Sequence, residues 1–146
     1  MRLYLDNCCL QRPLDDQTQP RVRVETEAVF AVLAAVTAGG LALLGSEALE
    51  YEINRIPDEK RRAEALSVLS LAHERLVITD EVEALALSFE SRGLFAIDAV
   101  HVALACVGRA DVFCTCDDQL FKKAQSLPGL VCKVTTLLNL VQEITR

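Results

Sequence analysis

Apolar residues along this chain follow two rhythms. Five short, nearly continuous runs, at residues 2–5, 41–45, 76–78, 112–115 and 131–134, have the length and content of buried strands. Between them, leucines, valines and alanines recur at helical spacing over residues 22–38, 46–55, 59–72, 81–92, 96–107, 117–125 and 136–144. Strands alternating with helices in this way predict an α/β fold, a three-layer α/β/α sandwich around a central parallel sheet of about five strands.

The polar positions punctuate that pattern. Gly39-Gly40 and Gly93 stop helices, Ser46 reads as an N-cap, and Pro57 biases Ile56 away from helical geometry. Asp58, Thr79 or Asp80, and Thr135 or Thr136 begin further helices. Residues 11–20, with Pro13, Pro20 and several turn formers, read as a loop placed over the end of the first strand. No linker, repeat or low-complexity tract interrupts the 146 residues, so a single domain over 1–146 is expected.

Composition narrows the function classes. Twenty-one acids against fifteen bases give a formal charge of −6, which argues against a protein that coats nucleic acid by electrostatics alone. It leaves room for an enzyme whose acids are neutralised by cations. The longest apolar runs are broken by Thr37, Asp98 and His101, short of the ~20 clean residues of a membrane span. With no basic segment preceding an apolar one at the start, a soluble, cytoplasmic protein is expected. The six cysteines then read as reduced thiols, small buried hydrophobes rather than a zinc knuckle.

The candidate chemistry lies in the acids. Asp6 ends the first strand, and ligands collect at the carboxyl ends of strands in open parallel sheets. Asp98 interrupts an apolar helix; it is either a first-turn carboxylate facing the helix dipole or a charge that is paired, hydrated or metal-bound. On the helix after Ser46, Leu49, Ile53 and Ile56 define an inward stripe at 100° per residue. Glu52 falls within that stripe, Glu50 at its edge and Glu47 in the capping turn. After the fourth strand, Asp117 and Asp118 compete to cap a short helix, and spacing does not choose between them.

Taken in order, Leu3-Tyr4-Leu5-Asp6-Asn7, Ser46 with Glu52 six residues on, Asp98 through Ala105 with His101 inside it, and Thr115-Cys116-Asp117-Asp118-Gln119-Leu120 resemble the PIN-domain family. The resemblance spans residues 2 to about 134. It implies an acidic quartet, Asp6, Glu52, Asp98 and Asp117, that holds Mg²⁺ or Mn²⁺, with Asp118 as an alternative ligand. Asn7 and Thr115 match polar residues beside the family's acids, and Arg12, with Arg21, Arg23, Lys122 and Lys123, is a candidate for phosphate contacts. His101 matches an Asp-x-x-His variant, for which a hydrogen-bonded core histidine is the expected role. The implied activity is metal-dependent endoribonucleolytic cleavage giving 5′-phosphate ends, with RNA as substrate. The implied partners are an antitoxin and a second copy of the chain in a homodimer.

Two other readings compete. A catalytically silent module keeping the same fold is compatible with the acidic charge. An aspartyl-phosphate enzyme is disfavoured, because Asp6 lacks the Asp-x-Asp spacing of haloacid-dehalogenase-type phosphatases. A further expectation concerns the thiols. If the first strand lies beside the fourth, Cys8, Cys9, Cys114 and Cys116 come together next to the acids, where they bind zinc or oxidise.

Overall fold

Strand β1 (Arg2–Leu5) occupies the middle of a five-stranded, all-parallel sheet in the order β3-β2-β1-β4-β5. The computed structural model describes residues 1–146. Leu3, Tyr4 and Leu5 are fully buried, as expected of a strand covered on both faces. On one side β1 pairs with β2 (Ala42–Ser46), Leu3 opposite Leu43, and on the other with β4 (Val112–Cys114), Leu5 opposite Cys114. The edges are β3 (Glu74–Leu76) and β5 (Lys133–Thr135).

Eight helices connect and cover the strands in an α/β/α sandwich. They are α1 (Asn7–Gln11), α2 (Pro20–Thr37), α3 (Glu47–Asn54), α4 (Glu59–Leu69), α5 (Asp80–Ser91), α6 (Ala96–Val107), α7 (Asp118–Gln125) and α8 (Leu137–Ile144). Helix α5 packs on α6 and α2 on α8, and one continuous core of 40 buried residues runs through the molecule. No helix is long and apolar enough to cross a membrane.

Capping follows local chemistry. Ser46 accepts from the Leu49 amide, Asp58 from Arg61, Thr79 from Val82 and Thr136 from Asn139, so the threonines rather than Asp80 and Thr135 start α5 and α8. The segment 11–20 is more ordered than its composition suggests. Gln11 closes α1, Arg12–Leu14 form a 3₁₀ turn, and Pro20 opens α2 at its first position, where a missing N–H costs nothing.

Both edge strands sit away from the most apolar residues. Strand β3 is residues 74–76 rather than 76–78, and β5 is 133–135 rather than 131–134. Val77 and Val131 instead lie exposed. An edge strand leaves one side to solvent and tolerates charge. Glu74 pairs there with Arg2 at 2.6 Å, and Arg75 with Glu50 at 2.7 Å.

Gly108, closing α6, meets β3 closely. A Cβ there would stand 2.6 and 2.7 Å from the two methyls of Leu76 and 2.8 Å from the Leu104 carbonyl oxygen. Gly108→Ala is expected to destabilise the fold by about 1–3 kcal/mol, read as a lower midpoint in urea with an unchanged slope.

Candidate active site

The sheet order reverses direction at β1. From there β2 and β3 run to one side, β4 and β5 to the other, and the carboxyl ends of β1 and β4 open a crevice at the switch point. A cleft of about 220 Å³ lies there, lined by Asp6, Asn7, Cys8, Gln11, Glu52, Asp98 and Asp117. A larger hollow beside Val24 and Leu138 holds one acid, Glu25, which Arg12 and Arg21 engage at 3.3 Å. The cleft at the strand ends therefore has the chemistry.

Asp6 is 6% exposed and held at both oxygens. Oδ1 accepts from the Asn7 amide at 2.8 Å, making Asp6 the N-cap of α1. Oδ2 accepts from the Thr115 hydroxyl at 2.8 Å and from the Cys8 thiol at 3.4 Å. Thr115 Oγ1 in turn accepts from the Asp117 amide at 3.1 Å, so one hydroxyl ties the two strand ends together. Asp117 caps α7 through Oδ1, which accepts from Gln119 and Leu120, while Oδ2 makes no hydrogen bond within the chain. A single carboxylate thus both caps the helix and faces the cleft.

Asp118 is placed elsewhere. It is exposed, its two oxygens forked onto Arg21 at 2.8 and 2.9 Å, and it does not line the cleft. Arg12 also differs from the expected phosphate contact. It is largely buried and turned inward, on Asp15 at 2.9 Å and near Glu25 at 3.3 Å. Thr115 is fully buried and committed to Asp6 and Asp117.

Glu52 reaches the cleft from α3, and its partner is His101. The ring Nε2 meets Glu52 Oε1, while Nδ1 lies 2.6 Å from Tyr4 Oη, which is 2.7 Å from Ser46 Oγ. Ser46 Oγ already accepts from the Leu49 amide. A neutral ring satisfies every group if Ser46 donates to Tyr4, Tyr4 to Nδ1, and Nε2–H to Glu52. The resemblance implies a hydrogen-bonded core histidine at 101; its grip on Glu52 is visible only once α3 and α6 are packed. Gln11 was also missed, as a residue of a supposed loop. Arg61 donates to its Oε1 at 2.6 Å and anchors it beside Asp6.

Tyr4→Phe leaves His101 Nδ1 without a partner and the Ser46 hydroxyl proton without an acceptor, although Ser46 Oγ keeps the Leu49 amide. It is expected to lower stability by about 1–3 kcal/mol. Tyr51→Phe on the exposed face of α3 is the matched control, and chemical denaturation of the pair should separate them.

Crowded acids shift one another. Burial, then the neighbouring Cys8 and Glu52, pushes Asp6 up to about 7 against the help of His101 and Thr115. Burial, then Asp6 and Asp117, pushes Asp98 up to about 6. Asp98 sits in the first turn of α6, yet no side chain or amide donates to it, and burial with the like charges outweighs the helix dipole. Burial opposes charge on His101, but the Glu52 hydrogen bond and the charges of Asp6, Glu52 and Asp98 prevail and raise it above 6.5.

No lysine or arginine lines this cleft, and every oxygen donor in it is hard. Asn7 Oδ1 also lies buried there without a hydrogen-bond partner. An orphaned acceptor among uncompensated carboxylates fits a divalent cation and its waters. Asp6, Glu52 and His101 each offer an atom within 4.8 Å of the others.

The PIN-domain family model matches residues 14–126, more than three-quarters of the chain. The chain belongs to the PIN-domain family. That match takes in Glu52, Asp98 and Asp117, while Asp6 precedes it. PIN domains are in general nucleases that use divalent metals. Among solved structures, the fold is similar to VapBC2 from Rickettsia felis, bound there to a DNA fragment from its promoter, with TM-score 0.60 and 12% identity. That alignment covers 93% of this chain and 98% of the other. It is similar also to PAE2754 from Pyrobaculum aerophilum, with TM-score 0.57 and 18% identity over 99% of this chain and 90% of that one. Of the curated proteins compared, none matches the sequence. At these identities the structures speak for the PIN fold alone.

Proposed function

We propose that this PIN-domain protein is a Mg²⁺- or Mn²⁺-dependent endoribonuclease and the toxin of a toxin–antitoxin pair, its activity held at Asp6, Glu52, Asp98 and Asp117. The observation that carries this reading is the meeting of four carboxylates and the unpartnered Asn7 Oδ1 in one cleft without a cationic side chain. Asp6 and Asp98, the two acids raised by burial and by their charged neighbours, are the principal metal ligands. When bound, the ion supplies Lewis acidity toward a phosphate oxygen and acidifies water.

The chain supplies the rest. Glu52 is fixed at Oε1 by His101 and offers Oε2 to take a proton from an attacking water. Asp117, fixed at Oδ1 by its cap, offers Oδ2 to orient that water. Thr115 keeps Asp6 and Asp117 at their separation, a positioning role. Asn7 and Gln11, the neutral polar residues of the cleft, take the place of Arg12 as contacts for the phosphodiester backbone. An antitoxin segment occupies the same cleft by presenting a cation to the acids, and the protein works in the cytoplasm as a homodimer.

The test is direct. Metal-free protein is loaded with Mn²⁺ and given single-stranded RNA and DNA of the same sequence. Cleavage of RNA to 5′-phosphate products, stopped by chelator, is expected. Intact RNA with protein shown to hold Mn²⁺ would favour the silent module.

A further inference from the structure

Three thiols converge behind the acids. Cys8 and Cys9 ride on α1 directly after β1, and Cys116 follows β4, so the parallel pairing of those two strands brings them together. The Sγ atoms of Cys8, Cys9 and Cys116 all lie within 4.8 Å of one another. Cys114 lies beside Cys9, whose Sγ meets its carbonyl oxygen at 3.5 Å, but falls outside this group of three. All six cysteines are free.

The contacts holding these sulfurs are long and weak. Cys8 Sγ lies 3.4 Å from Asp6 Oδ2, from Thr115 Oγ1 and from the Cys116 amide nitrogen. Cys9 is fully buried and Cys116 nearly so, whereas Cys8 lines the cleft and opens a path to the others. A tetrahedral ion with bonds of about 2.3 Å to sulfur places its thiolates roughly 3.8 Å apart. Small side-chain rotations achieve that from the spacing seen here.

We propose that Cys8, Cys9 and Cys116 form a binding site for one thiophilic divalent ion, Zn²⁺ being the fitting case, at the inner wall of the acid cleft. Three S–H bonds are exchanged for three metal–sulfur bonds and three protons leave to solvent. The fourth position opens toward the cleft, where Asp6 Oδ2 is the nearest carboxylate oxygen. Arg12, whose guanidinium stands beside Cys116, offsets part of the negative charge of three thiolates around a dication.

Sulfur and oxygen donors sort the ions. Mg²⁺ and Mn²⁺ take the carboxylates and Zn²⁺ the thiolates. Because Asp6 borders both sets, a zinc ion held by the thiols draws that carboxylate away from the hard metal. The thiol site therefore acts as an inhibitory metal sensor, a consequence that rests on the nuclease reading above; the site itself does not.

The experiment uses the full chain, reduced and stripped of metal under nitrogen. Titration with Zn²⁺ is expected to show one tightly bound equivalent, and Co²⁺ to give the near-ultraviolet absorption of thiolate-to-cobalt charge transfer. Cys8→Ser, at the half-buried position, is expected to lose at least a hundredfold in Zn²⁺ affinity together with that absorption. Cys132→Ser, in the separate Cys106–Cys132 contact at 3.6 Å, keeps both. Melting curves of each variant establish that it is folded, and Cys116→Ser repeats the loss from the other strand.

No zinc uptake by folded wild type, a cobalt spectrum without sulfur bands, or an unaffected Cys8→Ser protein each overturns the site. So does a disulfide between these thiols that forms whether or not zinc is present. Mn²⁺ affinity, read by its paramagnetic resonance, is expected to fall at least tenfold when zinc is bound, and unchanged affinity overturns the coupling. Zinc uptake in a protein that never binds Mn²⁺ tells against the nuclease and leaves the thiol site standing. RNA cleavage without zinc uptake does the reverse.

Discussion

Asp6→Asn is expected to reduce Mn²⁺-dependent RNA cleavage by on the order of a thousandfold, about 4 kcal/mol in the barrier, while leaving the fold intact. The side chain keeps its shape. A carboxamide oxygen can still accept from the Asn7 amide, so the cap on α1 survives. What disappears is the negative charge at the most buried acid of the cleft. A neutral amide is a poor ligand for a hard dication, so Mn²⁺ affinity falls with the activity. The metal-free variant is expected to be as stable at pH 8 as the parent, or more so, because a buried charge among like charges has been removed. Calorimetric Mn²⁺ titration and thermal melts on the same preparation check both halves. A variant that loses activity only because it melts early would show a lower midpoint, and one that keeps cleaving would remove Asp6 from the chemistry.

The second large effect is a fall in the stability of metal-free protein as pH rises. Asp6 titrates near 3.8 when unfolded and about 7 in the folded chain, so between those values the folded state binds more protons. Its contribution is complete below the unfolded value and is lost as pH climbs to about 7, levelling above it. A rise of about three pH units corresponds to roughly 4 kcal/mol for Asp6 alone. Asp98, raised to about 6, and His101, raised above 6.5, act in the same direction. These groups titrate as one coupled set, so their effects do not add, and the partial exposure of Asp98 screens its share.

Between pH 5 and 8 the melting midpoint should therefore drop by on the order of 10 °C. Mn²⁺ should restore it at pH 8 and do little at pH 5, where protons compete for the same oxygens. Asp6→Asn should flatten most of the slope. A midpoint that is constant or rising over this range in chelator would contradict the crowded-carboxylate account.

The reach of the sequence can be judged residue by residue. Asp6 was found because an acid closes an apolar run, and Glu52 because helical geometry turned it toward Leu49 and Ile53. Both readings need only local periodicity, and both residues line the cleft. Asp117 against Asp118 stayed open, since the choice depends on Arg21 coming across from α2 to claim Asp118. Arg12, a candidate for phosphate contact, lies turned inward, and that too is not legible in the sequence. Its partners Asp15 and Glu25 turn it inward, and nothing in the spacing of residues 11–20 shows that turn.

The edge strands slipped because apolarity marks burial, whereas pairing at a sheet edge follows the ladder even through Glu74 and Arg75. The all-parallel architecture was legible because every strand run alternates with a helical one. The Tyr4–His101–Glu52 chain was not, since it joins residues from three separate elements.

The central place of β1 has a consequence for synthesis. Leu3 waits for Leu43 on one side and for Val112 on the other, and Asp6 meets Thr115 only after that second pairing. A chain leaving the ribosome can pair β1 with β2 early, but the other side of β1 stays open until β4 emerges, and the four acids have no shared cleft before that second pairing. The acid cleft therefore closes only once Thr115 and Asp117 have emerged, long after Asp6 and Glu52.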